Sequence, residues 1–446
     1  MKSYDVDELI AGQRFGGFHV KLLLWSFVAL VTDGYEITAL PFAVPYLAAE
    51  WHLTGTVIGQ LIAAGLLGIL VGAALLGYLG DRFGRRAAII LSILFYGVGA
   101  LAISWCTRPE PVYILRFLTG LGIGGALPNI VALNIESSPS RHAARIATLV
   151  GLGMILGSLL PGVVAATLVP YFGWQILFQI GGGIAFLATL ALFFTLTESL
   201  KFLVASGRDN ARAVSLAREM RPDLDIADDA VFTSADEGQQ GRVNLGRLFQ
   251  DGLAPFTLLV WLAFSMGLLV NYAMTSWMPM LFERVGATGP QASVVSSMFH
   301  VGGVLGTLVM SALVVRYGFF AICAVAALGF PAIALLGQPG LGLWTLGLLV
   351  TLAGFCVLGI QAANNSMAGL IYPTQVRSAG LGFALSVGRI GSLVGPLIGG
   401  MLIDLGWSAG SLFFACAVPM AILSSAALAL AMLSRRRFGL NISPAG

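Results

Sequence analysis

Apolar residues fall in long runs separated by short polar breaks, at about 20–48, 57–79, 87–106, 111–133, 144–170, 175–195, 253–281, 292–315, 319–337, 342–370, 378–403 and 409–433. Each is about as long as an α-helix must be to cross roughly 30 Å of hydrocarbon at about 1.5 Å per residue. None alternates with the period of two that a membrane strand requires, and backbone groups in lipid must be satisfied within the segment. The pattern predicts an all-α polytopic membrane protein with twelve transmembrane helices.

One break is much longer than the rest. Hydrophobicity collapses after residue 196, and Asp228, Asp229, Asp236 and Glu237 gather near Arg208, Arg212 and Arg218. The expected organisation is a six-helix bundle over 1–196, a linker over 197–252 and a second six-helix bundle over 253–446. Within the linker, Ala211 to Met220 suits a short amphipathic surface helix, and Asp225 to Gly241 is expected to be irregular. The two halves also overlie each other at a shift of 234 positions. Gly68 and Gly72 meet Gly302 and Gly306, Arg82 and Gly84 meet Arg316 and Gly318, Pro139 meets Pro373, and Gly157-Ser158-Leu159 meets Gly391-Ser392-Leu393. A same-direction repeat of this kind places substrate between the halves near mid-membrane. Glycines four apart let helix backbones approach closely in lipid, as sliding seams or as static packing.

Composition agrees: 57% of the 446 residues are hydrophobic and 10% charged, against roughly 25% charged in soluble domains. Lys and Arg residues concentrate in the even-numbered breaks and at the ends, including Arg82, Arg85, Arg86, Arg141, Lys201, Arg218, Arg316, Arg377 and Arg435, whereas the other breaks hold only Arg108 and Arg284. Positively charged loops stay in the cytoplasm, so both termini are expected there. The net charge of +3 follows from this bias and gives no reason to invoke nucleic acid. Cys106, Cys323, Cys356 and Cys416 lack metal-ligand spacing and read as packing residues. No nucleophile constellation, nucleotide loop or metal motif is evident, so neither an enzyme nor ATP-driven transport is expected. The first run carries acids and no small-residue cleavage pattern, which reads as a retained helix.

A charge near the bilayer centre costs about 2.5–3.5 kcal/mol on insertion scales, which marks it for function. Four lie well within runs: Asp33, Glu36, Arg116 and Arg389. At the 234 shift they meet Gly267, Val270, Val350 and Ile155, so scaffold residues repeat between halves while these charges do not. Asp33 lies about eleven residues past Leu22, hence about 16 Å into the membrane, and Glu36 one turn further on the same face. Two carboxylates so close in low dielectric do not both ionise easily, so Asp33 is expected to carry a transferable proton, and Glu36 either shares that proton or reads a hydroxyl on the substrate. Arg389 suits a two-point fork on a substrate carboxylate, the alternative being a bond to backbone carbonyls. Arg116 either pairs with Glu36 or snorkels to the surface. Further candidate substrate contacts are Tyr35, Asn129, Asn271, Tyr272, His300, Gln361 and Asn364, each equally readable as helix packing.

Several motifs carry a resemblance. Gly80-Asp81-Arg82-Phe83-Gly84-Arg85-Arg86 resembles the signature loop of the major facilitator superfamily, which implies a conformational latch at Asp81, Arg82 and Arg86; in the second half only Arg316, Tyr317 and Gly318 match, with Val315 in the acid's place. Arg116-Phe117-Leu118-Thr119-Gly120-Leu121-Gly122 resembles that superfamily's segment associated with proton coupling. Asp33-Gly34-Tyr35-Glu36, Leu127-Pro128-Asn129, Tyr372-Pro373-Thr374 and Gly388-Arg389-Ile390-Gly391 are similar to the aromatic acid:proton symporter family, over the whole chain. Glu36 departs from that family's second Asp by one methylene. The Glu198-Ser199-Leu200 segment lacks the proline often found there. The resemblance implies a proton-coupled importer of an aromatic carboxylate in the bacterial inner membrane, monomeric, with the proton as coupling ion and no other cofactor. A proton-coupled exporter and a transporter-like sensor are the alternative readings.

Overall fold

The computed structural model describes residues 3–13, 15–207, 209–233, 245–250, 252–373 and 376–438. Arg208, Asp236, Glu237, Gly241 and Thr374, named above, lie outside them. Among the described residues twelve helices are long and apolar enough to cross a membrane: α1 Gly17–Trp51, α2 Gly55–Phe83, α3 Arg85–Ile103, α4 Pro109–Glu136, α5 Ser140–Thr167, α6 Gln175–Thr195, α7 Ala254–Arg284, α8 Gly289–Tyr317, α9 Phe319–Ala334, α10 Leu343–Ile371, α11 Arg377–Asp404 and α12 Ala409–Phe438. Every predicted run falls on one of them. Turn chemistry sets several ends. Thr288 and Gln291 form a capping box at the start of α8, satisfying N–H groups that the first helical turn leaves free. Gly84 and Gly318, related by the 234 shift, both take positive φ, 105° and 56°, and so allow a tight reversal after α2 and after α8.

The repeat is visible in the contacts themselves. A side chain at Gly68 would strike the Phe117 carbonyl and one at Gly72 the Leu121 carbonyl, so α2 and α4 touch backbone to backbone. Gly302 and Gly306 meet the Thr351 and Phe355 carbonyls of α10 in the same way. All four pairs are related by 234 positions, as are Gly157 on Val31 and Gly391 on Ser265. Close approach yields dispersion contact and weak Cα–H···O bonds, the main attractions open to helices in lipid.

Contacts between Cα atoms divide the chain into two units, residues 1–37, 67–157 and 178–241, and residues 38–66, 158–177 and 242–446. The cut passes through α1, α2, α5 and α6. The first unit has a core from α1, α3, α4, α5 and α6 that includes Leu30, Ile93, Tyr96, Ile130 and Val150. It also holds a small extramembrane assembly. Strand β1, Ser3–Asp5, pairs in parallel with β2, Val231–Thr233, and the short helix Val6–Ala11 buries Val6, Leu9 and Ile10 against Val214, Ala217, Met220 and Phe232. The linker helix forms over Asn210–Met220, with Asp209 accepting from the Arg212 N–H. Part of the stretch expected to be irregular is therefore a strand. Its partner is over two hundred residues upstream, and three residues carry no periodicity by which to be recognised.

In the second unit α7 packs against α11, with Gly391 on the Ser265 carbonyl. The first turn of α2 meets the last turn of α11: Asp404 accepts from the Gly55 N–H at 2.6 Å and the Thr56 N–H at 2.8 Å. Gly400 and Gly55 leave no room for a Cβ between the two backbones.

Candidate functional site

In the first unit, α1 lies flush on α5 because Gly34 sits on the Met154 carbonyl. On that stretch of α1, Asp33 and Glu36 are 1% and 0% exposed, and Arg116 of α4 is 5% exposed. Glu36 lies within electrostatic reach of both Arg116 and Asp33. The Tyr96 hydroxyl of α3 stands within reach of both carboxylates, fixed by Thr32 Oγ1 at 2.7 Å and the Ala29 carbonyl at 3.3 Å. From α6, Gly181 presents bare backbone to the Glu36 carboxylate and the Tyr35 ring. Among the described residues none forms a hydrogen bond to either oxygen of Asp33 or Glu36, nor to Nε or one terminal nitrogen of Arg116. Buried polar atoms are normally paired, so this group of two acids and one base keeps binding capacity for a proton or a polar ligand.

The second unit holds the remaining candidates except Asn129. Arg389, half-buried on α11, lies in the field of Tyr272 from α7. One residue along, the Asn271 amide donates to Gln361 Oε1 of α10 at 3.1 Å, and Thr275 donates to Asn271 Oδ1 at 3.5 Å. Asn364, buried one turn further on α10, faces Gly267 of α7. His300 is buried on α8, edge-on to Phe299. Asn129 stands elsewhere: it donates to the Leu76 carbonyl at 3.0 Å and to Gly125 at 2.8 Å, tying α4 to α2.

The loop between α2 and α3 binds three helix ends. Arg85 pairs with Asp81 at 2.6 Å and with Glu136 at the end of α4 at 3.1 Å. Arg86 donates to the Leu196 and Phe193 carbonyls, and its N–H donates to Glu198. Burial pushes the Glu198 carboxyl up, while N–H donors from Ser199 and from Arg86 and Arg85 draw it down and Glu136 pushes it up. Arg82 turns to the Tyr78 hydroxyl of its own helix. Of the three expected latch residues, Asp81 and Arg86 thus hold other segments, and the cluster gains Arg85, Glu136 and Glu198. Tyr96 and Gly181 were not anticipated either. An isolated tyrosine in an apolar run gives no signal, whereas the Gly181-Gly182-Gly183 triplet marks a place where something approaches the helix closely.

Twelve membrane-crossing helices among the described residues, built on a repeat and carrying a buried group of charges, are the features of a membrane transporter. The sequence matches the Major Facilitator Superfamily over residues 26–351, and the chain belongs to that superfamily, whose members are transporters and not enzymes. It is 32% identical to the 4-hydroxybenzoate transporter PcaK of Pseudomonas aeruginosa, over 98% of this chain and 97% of that one. It is 30% identical to a gallate transporter of Pseudomonas putida, over 99% and 97%. Among solved structures, a D-xylose-proton symporter superposes with a TM-score of 0.69 at 18% identity, covering 92% of this chain and 96% of that one.

Proposed function

We propose that the protein is a proton-coupled importer of an aromatic carboxylate, working by alternating access in the bacterial inner membrane with both termini in the cytoplasm. The observation that carries this reading is the buried group of Asp33, Glu36 and Arg116. Two carboxylates beside one guanidinium hold an integral charge that a single proton changes by one, with Asp33 as carrier and Arg116 bound to or released from Glu36 accordingly. Arg389 takes the substrate carboxylate as a charge-assisted fork. Tyr272, Asn271, Gln361 and Asn364 of the same unit supply groups suited to ring hydroxyls, and His300 serves as a further contact. The names of the relatives support an aromatic acid. The concentration of Lys and Arg in alternate loops supports the orientation. The coupling ion is the proton, no cofactor is needed, and the working unit is a monomer.

Uptake of labelled 4-hydroxybenzoate into proteoliposomes under an inward proton gradient tests the reading. Wild-type protein should accumulate substrate, Asp33→Asn should abolish gradient-driven accumulation, and Arg389→Ala should raise KM by about tenfold or more, the effect of losing a charged hydrogen-bonded partner worth about 1.5–3 kcal/mol. Accumulation indifferent to the gradient would overturn proton coupling.

A further inference from the structure

Resting on the proton-coupled reading, we infer that a buried polar stripe along α1 is the route by which the proton leaves Asp33 for the Gly17 end of that helix, with Ser26, Asn134 and His19 as its relay groups. His19, Ser26 and Asp33 are spaced by seven residues, which returns each to nearly the same face of a helix. All three are 1–3% exposed. They stand in an otherwise apolar core whose neighbours are Leu22, Ala29 and Leu30. Asn134 of α4 reaches into the middle of the stripe and donates to Ser26 Oγ at 2.7 Å, while its carbonyl oxygen has no partner. The Ser26 hydroxyl hydrogen therefore remains available to a neighbour on the line.

The stripe ends in a second group. His19 Nδ1 accepts from the Gly16 N–H at 3.4 Å, which leaves Nε2 to carry the ring proton in the neutral form, and Nε2 has no partner. Gln13, wholly buried, has neither its amide nitrogen nor its oxygen bonded. Phe15 stacks on His19 at 5.1 Å and meets His142 edge-on at 6.0 Å, so a second imidazole, half-exposed beside Arg141, stands next in line toward solvent. Successive α1 groups are about 10.5 Å apart along the axis, a gap that two or three bridging waters with polar partners on both sides would span. Among the described residues the charged and titratable groups facing the stripe are Glu36, Tyr96 and Arg116 at its inner end and His142 and Arg141 at its outer end. A core built only for packing would have no use for unpaired polar atoms repeated at this spacing.

The test separates proton release from substrate movement. Proteoliposomes bearing wild type, Ser26→Val, Asn134→Leu and His19→Phe are assayed for gradient-driven accumulation of 4-hydroxybenzoate and for equilibrium exchange of labelled against unlabelled substrate, which needs no net proton release. The expected result is accumulation reduced about tenfold or more with exchange within about twofold of wild type, and Ser26→Thr, which restores the hydroxyl, near wild type in both. Unchanged accumulation in all three variants, with the wild type gradient-dependent, would overturn the relay and leave proton coupling standing. Equal loss of exchange and accumulation would assign the stripe to packing and overturn it too. A wild type indifferent to the gradient would remove the underlying reading instead.

Discussion

At the scale of single residues, the candidate site depends as much on what is missing as on what is charged. Gly181 has no side chain where one would strike the Glu36 carboxylate and the Tyr35 ring. Gly181→Val should therefore push Glu36 from its place beside Arg116 and reduce transport by about tenfold or more while the protein still inserts; the destabilisation expected of an overpacked core, about 1–3 kcal/mol, is read as a lowered melting temperature in detergent. Gly183, two residues along with nothing near its Cβ position, supplies the control, since Gly183→Val should move neither quantity appreciably. The four charges within the membrane helices were legible from sequence because hydrocarbon makes an ionisable group conspicuous. Gly181 and Tyr96 were not, because their importance comes from neighbours on other helices.

At the scale of elements, the matched seams make a sharper claim than glycine counts. Gly72 meets the Leu121 carbonyl in one repeat and Gly306 meets the Phe355 carbonyl in the other. A leucine at either position must separate two helices that now touch along their backbones. Gly72→Leu and Gly306→Leu should each destabilise the purified protein by a comparable amount, about 1–3 kcal/mol, read as a lowered melting temperature, and the double variant should show near-additive losses because the seams share no partner. A much smaller effect at one seam would show that the repeat is kept in sequence there without carrying equal packing. The latch loop illustrates the opposite case. Its motif pointed to Asp81, Arg82 and Arg86, yet Arg85 is the residue that joins Asp81 to Glu136. Consecutive arginines at a helix start point in different directions, and only the helix ends around them decide which one is used.

At the scale of the whole molecule, helix number and boundaries followed from hydropathy, and the internal repeat from one numerical shift, because both are periodic along the chain. Contacts that are not periodic stayed hidden, among them the cap that Asp404 places on α2 across more than three hundred residues. That cap satisfies two N–H groups of a helix start and sets a carboxylate at the positive end of the helix, worth about 1 kcal/mol. Asp404→Ala should let the start of α2 part from α11 more often, so that Thr54→Cys reacts with a water-soluble maleimide about fivefold faster in the Asp404→Ala background. An unchanged labelling rate would show that Gly400 and Gly55 alone keep the two helices together.

The strand made by Ser3–Asp5 is completed only by Val231–Thr233. During synthesis the first of these leaves the ribosome before α1, and the second follows after α6. The amino-terminal segment must therefore wait, with Val6, Leu9 and Ile10 uncovered, until the first six helices have entered the bilayer. Closure of this small assembly therefore marks a moment after α1 to α6 have been made and before α7 to α12 have been translated.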